Sequence, residues 1–433
     1  MPDLLRILGV AFGVAVVIGG TIGSGILRTP GAVVAQFGSE RLALAAWATG
    51  AVYALLAASA LADLVTSVPR SGGFYVFARR ALGNAVGVAI GWADWASNCA
   101  AVTYAAITFS EYMALLYPGM AAFGNAPGAA VVVVFTALQF GGMRLSGRVQ
   151  EVTSFGKALA FVLLIALLFM APAASADATA LPGPAGGFAT FAAAIIALQL
   201  VVGAFDGWQQ AMYFAGEDTN PSRNLPRSLI GGVGLVAGVY LLINVAFMRV
   251  LPTTTLAASS LPAADAATVV FGASGTRIVT WLAALSLLPL IHAVLMSASR
   301  VLYAMGRDGL LPSRVGHVSP SGTPTVALVA SAAVGLLLLG VQTFDLISAV
   351  MAFFAVTGYT GAFVALLVLR RREPSLERPF RSWGYPWTTL VVLAGALALL
   401  GGLVVSAPIA SAVAIAVLAL SYPVALATSA RRA

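Results

Sequence analysis

Long stretches without a single charged side chain settle what this chain can become; residues 385–406 and 408–429 are two of them. A helix that crosses roughly 30 Å of hydrocarbon needs about 20 mostly apolar residues, because an unpaired backbone group in lipid costs several kcal/mol. Twelve segments meet or approach that length, near residues 7–35, 42–66, 85–117, 127–142, 152–172, 188–215, 228–250, 277–305, 324–341, 346–369, 385–406 and 408–429. Reading the last pair, divided at Ala407 and Pro408, as one unit gives eleven; twelve is the reading adopted. Only 9% of the residues are charged and 60% are apolar, whereas a soluble domain carries about 25% charged residues.

The formal charge of +8 points to topology rather than to nucleic acid, since no basic, aromatic-interleaved soluble segment exists to carry such a surface. With the amino terminus inside, 18 of the 22 arginines fall on the inner side and four (Arg28, Arg41, Arg249 and Arg277) in the outer half. Basic residues in short loops resist translocation, so both termini are expected in the cytoplasm. The first apolar stretch is too long for a signal peptide and lacks a small-residue cleavage pattern, so it reads as a retained helix. Cys99 is the only cysteine, which excludes an intramolecular disulfide and a thiolate metal cluster. No cofactor, metal or obligate protein partner is implied.

Two spans are interrupted at comparable places, by Gly19 to Gly25 in the first and by Gly203, Asp206 and Gly207 in the sixth. A lone glycine pair in a membrane helix usually serves close packing. Matched polar breaks five spans apart instead suggest two five-helix units of inverted topology with a ligand site at mid-membrane.

Several stretches give this pattern a family likeness. They are GTIGSGILRTPG at Gly20 to Gly31, VPRSGGFYVFARRALG at Val68 to Gly83, VQEVTSFGK at Val149 to Lys157, AFDGWQ at Ala204 to Gln209, AGEDTNPSRNLPRS at Ala215 to Ser228, SRVLYAMGRDGLLP at Ser299 to Pro312 and ERPFRSWGYP at Glu377 to Pro386. In this order the chain resembles the amino acid, polyamine and organocation transporter superfamily, nearest its L-type and bacterial amino acid permease branches. The resemblance implies an all-α LeuT-type fold with spans one and six unwound at mid-membrane. It also implies this organisation: a cytoplasmic terminus 1–6, a first repeat 7–173, an extracellular loop 174–187, a second repeat 188–370, a cytoplasmic loop 371–384, two further helices within 385–429 and a cytoplasmic end 430–433. The expected activity is sodium-independent secondary transport of small neutral L-amino acids in a bacterial inner membrane, with a uniporter, a proton symporter and an exchanger all left open as its mode. A cationic amino acid or polyamine carrier using Asp206 is the alternative. A membrane-embedded enzyme would need a convergent His or acid cluster, and His292 and His317 lie far apart in sequence.

By the same resemblance, the backbone amides of Gly23, Ser24 and Gly25 receive the substrate carboxylate, which suits a helix amino terminus, glycines that allow backbone approach without a Cβ, and the hydroxyl donor that Ser24 adds. The ammonium meets carbonyls near Thr21 and Ile22 and near Ala204 and Phe205, with Gly207 in the same break. Phe205 and Trp208 are the expected gate, although the bulky gate position of several members matches Gly203 here. Asp206 reads first as a helix cap and second as a cation or proton site. Lys157, the only lysine, aligns with a lysine that replaces a sodium ion against the first break, which makes proton coupling part of the expectation; snorkelling to the interface is the alternative. His292 either lines the pocket or is a hydrogen-bonded structural residue. Arg28 needs a partner at its depth, and Asp63, Asp94 and Glu111 read as structural or interfacial.

Overall fold

A computed structural model describes residues 3–174, 181, 183–184, 186–340 and 344–430. The expected extracellular loop 174–187 and the cytoplasmic end 430–433 fall mostly outside the described residues. Every regular element among the described residues is helical. They are α1 (Val10–Thr21), α2 (Gly25–Phe37), α3 (Glu40–Ser67), α4 (Phe74–Leu82), α5 (Asn84–Leu116), α6 (Ala126–Phe140), α7 (Met143–Met170), α8 (Gly187–Ala204), α9 (Pro221–Val250), α10 (Thr253–Ala258), α11 (Pro262–Phe271), α12 (Gly275–Arg307), α13 (Thr325–Leu338), α14 (Phe344–Arg372), α15 (Trp387–Ser406) and α16 (Pro408–Ala430). Seven of the spans are long and apolar enough to cross a membrane, and eight if the bent pair α1–α2 is one span. Four shorter apolar helices accompany them, in α6, α8, α13 and α16.

Local chemistry explains several boundaries. Gly38 ends α2 at φ 62°, a left-handed conformation that glycine adopts at low cost, and the Ser39 hydroxyl then accepts from the Leu42 amide to start α3. Proline opens α9, α11 and α16, where its missing N–H would have had no helical partner. The sequence reading set the first span's start at residue 7, but α1 begins at Val10. Ile7 and Leu8 are extended, and both amides donate to the Glu217 carbonyl at 3.0 Å. The fifth span starts nine residues earlier than expected, at Met143, and three short helices, α4, α10 and α11, lie in stretches taken for loops.

The end of the bundle that gathers most arginines is stitched by ion pairs. Arg300 and Glu217, both almost fully buried, form a two-pronged pair with Nε and Nη2 each 3.0 Å from a carboxylate oxygen. Asp308 accepts from Arg70 and from the Tyr75 hydroxyl at 2.9 Å each and pairs with Arg79 at 2.5 Å. Burial pushes the Asp308 carboxyl upward, but the neighbouring guanidinium groups outweigh this and hold it below the ordinary carboxylate value. Asp63, fully buried on α3, pairs with Arg370 and Arg378 and accepts from the Ser382 amide at 2.8 Å, which fastens the segment before α15.

Removing one partner of a buried pair strands the other charge, at a cost of about 3–5 kcal/mol, whereas replacing both by apolar groups is often neutral. The substitution Glu217→Leu is therefore expected to lower the thermal midpoint of the detergent-solubilised protein, and the paired change Glu217→Leu with Arg300→Met to recover most of it. A single variant as stable as the parent would contradict this account.

Candidate functional site

Two helix interruptions face each other in the middle of the bundle. α1 stops at Thr21 and α2 starts at Gly25, with the axes bent by 52°. α8 stops at Ala204, and after a turn the chain continues as a tighter, three-residue-per-turn helix over Gln210–Glu217. The glycines of these breaks fall into two groups. A Cβ at Gly207 would lie 2.4 Å from the Gly20 carbonyl oxygen, and one at Gly19 would lie 2.3 Å from Gln150 Nε2. Gly207 and Gly20 thus let the two interruptions touch backbone to backbone, while Gly19 lets the first break pack against Gln150 and Ser154 of α7. A Cβ at Gly23 or Gly25 would find only ordinary contacts, at 3.6 Å from Leu290 and 3.5 Å from Ala204.

Gly23, Ser24 and Gly25 border a cavity of about 200 Å³, together with Thr21, Ala204, Asp206 and Gly207. Six of the expected ligand-binding positions beside Asp206 thus meet at one space. The sequence reading did not anticipate the rest of the lining, which includes Asn98, Tyr104, Gln209, Gln210, Tyr213 and Leu290. Asp94, expected to be structural, also borders it. Its carboxylate accepts from the Tyr213 hydroxyl at 2.5 Å, the Asn98 amide at 3.1 Å and the Phe74 backbone amide at 3.1 Å. Asp206 accepts from the Gly207 amide at 2.9 Å and from the Tyr359 hydroxyl. It therefore closes the turn at the break rather than capping the following helix, whose first turn has no side-chain cap.

The remaining expected residues stand behind the cavity wall. Lys157 donates to the carbonyls of Gly19 at 2.9 Å, Ile22 at 2.5 Å and Ser286 at 3.0 Å. Because α7 starts at Met143, the residue lies about 21 Å along the helix from its start at 1.5 Å per residue, and its ammonium is turned into the break instead of toward an interface. The Ile22 carbonyl is thus already engaged. The Thr21 and Ala204 carbonyls both take the Tyr240 hydroxyl, at 2.9 and 3.0 Å. Phe205 packs its ring against Trp47 and Tyr240, and Trp208 packs against Tyr359; neither ring borders the cavity. His292 is buried against Phe135 with Nδ1 2.9 Å from Gln150 Oε1, away from the cavity. Arg28 lies over the Tyr112 ring at 5.5 Å.

Tyr240 is the functional candidate that sequence reasoning missed. It sits in an ordinary apolar run of α9, and only the fold reveals that one hydroxyl reaches the last carbonyls of both broken helices. Tyr359 escaped for the same reason.

Membrane-length helices packed around such a cavity make this a multi-pass membrane protein. The chain belongs to the amino acid permease family, which it matches over residues 9–428. Over 416 residues it is 28% identical to the serine/threonine exchanger SteT of Bacillus subtilis, covering 93% of this chain and 92% of that protein. It is 29% identical to the Asc-type amino acid transporter 1 of Mus musculus, covering 87% of this chain and 73% of the relative. It is 27% identical to the b(0,+)-type amino acid transporter 1 of the same species, at 88% and 79% coverage. The family and these relatives are transporters, not enzymes.

The two groups of glycines are expected to respond differently to the same change. Gly207 has φ 104°, a conformation that costs a residue with a Cβ about 1–3 kcal/mol, so Gly207→Ala should lower the thermal midpoint clearly. Gly25→Ala should leave it within a degree or two of the parent. Equal losses in both variants would remove the distinction between packing and cavity glycines.

Proposed function

We propose that the chain is a sodium-independent, secondary active transporter of small, neutral L-amino acids that works by alternating access. The observation that carries this reading is the meeting of the Gly23–Ser24–Gly25 backbone, at the start of α2, with the end of α8 around a single cavity. The unwound segment presents N–H groups of two glycines that lack a Cβ, Ser24 between them adds a hydroxyl donor, and the helix start favours an anion; this suits a carboxylate. The carbonyl oxygens of Thr21 and Ala204 keep a second lone pair beyond the one taken by Tyr240, which suits an ammonium group. A zwitterion needs both.

On this reading the seven long spans, the bent pair and the four shorter apolar helices make twelve transmembrane segments in a LeuT-type arrangement. Two inverted five-helix repeats are followed by α15 and α16. Both termini lie in the cytoplasm of a bacterial cell, with the arginine-rich end at the inner face of the inner membrane. The Lys157 ammonium takes the place of a bound cation, and protons or a counter-substrate supply the coupling. A second reading, transport of cationic amino acids or polyamines, is favoured by one observation: Asp94 and Asp206 both border the cavity. Both carboxylates already accept several hydrogen bonds, which favours the neutral class.

Uptake of labelled amino acids into proteoliposomes, with and without unlabelled amino acid inside, tests the reading and separates exchange from net transport. Inhibition by lysine or putrescine but not by alanine or serine would favour the second reading, and no uptake of either class would overturn both. Lys157→Ala is expected to abolish or uncouple transport while the protein still inserts, and wild-type rates with unchanged pH dependence would remove Lys157 from the mechanism. Gly25→Val, which puts side-chain bulk on the backbone that borders the cavity, is expected to abolish substrate binding; normal affinity would contradict the carboxylate assignment.

A further inference from the structure

The central cavity has a neighbour. A second chamber of about 250 Å³ lies between α8, α14 and α15, walled mainly by Val202, Ala352, Val356, Leu399 and Leu403. The two spaces share Gly203, Asp206, Met351 and Ala355, so they adjoin, and Gly203 stands at the junction on the last turn of α8.

Nothing in the protein's own packing calls for glycine there. Gly203 is absent from the glycines with positive φ, so its backbone conformation is open to any residue. A Cβ built on it would meet nothing within 4 Å, so no neighbour requires the space either. Glycine inside a helix costs about 1 kcal/mol relative to alanine, and here neither geometry nor contact offsets that cost. What the missing side chain does provide is a passage between the two chambers.

We infer that the second chamber receives the side chain of the bound amino acid, and that the ligand range therefore extends from small to bulky apolar neutral amino acids of the size of leucine, methionine or phenylalanine. This deepens the proposed function and rests on it, since the α-carboxylate and α-ammonium must first be held at the breaks. The chamber's size fits: an apolar cavity of about 150 Å³ accepts benzene, so the larger space accommodates an isobutyl or phenyl group. Its chemistry fits too, because aliphatic walls favour an apolar occupant. At the junction Asp206 is engaged by Gly207 and Tyr359, so the entrance does not present a carboxylate waiting for a cation.

The test is ligand-induced thermal stabilisation of the purified full-length protein, titrated with glycine, L-alanine, L-serine, L-leucine, L-methionine and L-phenylalanine. Wild-type protein is expected to be stabilised by the bulky as well as the small amino acids. Ala352 borders the second chamber alone, so Ala352→Phe should fill it from the α14 side. The half-saturating concentrations of leucine and phenylalanine should then rise at least about tenfold, the lower end of what one methylene is worth in a hydrophobic pocket, with alanine and serine unchanged. Val356, one helical turn from Ala352, also borders the second chamber and not the central cavity, so Val356→Phe should impose the same selective loss, which keeps the test decisive if one variant does not fold. If wild-type protein binds small amino acids but not bulky ones, or if Ala352→Phe weakens all six equally, the inference fails while the transport reading stands. If none of the six binds, the transport reading fails and takes this inference with it.

Discussion

A single ammonium group holds the first helix break in shape. Lys157 donates to carbonyls of Gly19 and Ile22, on either side of the end of α1, and to Ser286 on α12. An interrupted helix at membrane depth exposes carbonyl oxygens that lipid cannot satisfy, and such backbone is tolerated only where protein or a water-filled cavity supplies partners. Lys157 supplies three hydrogens at one point, from a helix that does not itself break. Pro289, within the same α12 helix, removes one amide from its ladder close to Ser286, so the third acceptor also comes from a locally loosened stretch. The unwound Ile22–Ser24 segment, and with it the cavity wall, depends on this contact.

Tyr240 complements it from the other side. Its hydroxyl carries one hydrogen, shared between the terminal carbonyls of α1 and α8. Lys157 thus ties the first break to α7 and α12, while Tyr240 ties the first break to the second. Two tyrosine–aspartate pairs add to this, Tyr213 with Asp94 and Tyr359 with Asp206. These pairs link α5 and α14 to the segment that follows α8.

The spans were legible because their signal is compositional: about 20 apolar residues leave few other options. The breaks were legible because Gly19 to Gly25 and Gly203 to Gly207 combine glycine with polar residues where a continuous helix would gain nothing from them. Lys157 stood out as the one lysine among arginines. Start points were harder, since the first turns of α7 and α9 are helical while carrying polar and basic residues such as Arg144, Arg148, Arg223 and Arg227, and hydropathy alone stops short of them. Side-chain direction was harder still. Phe205, Trp208 and His292 lie at the right height, but height along a helix does not say which face turns to the cavity. Tyr240, Tyr359 and Asn98 do face their targets, yet nothing in their local sequence distinguishes them from packing residues.

The backbone contact between Gly20 and Gly207 also decides which walls of the pocket are open to evolutionary change. No side chain separates the two interruptions there, so that side of the pocket is built from peptide groups common to every amino acid sequence and offers no handle for discriminating one ligand from another. Side chains border the space elsewhere, along α5, α12 and α14 and, toward the second chamber, on α15. The recognition of the invariant part of a substrate and the recognition of its variable part would thus be housed in physically separate halves of one pocket.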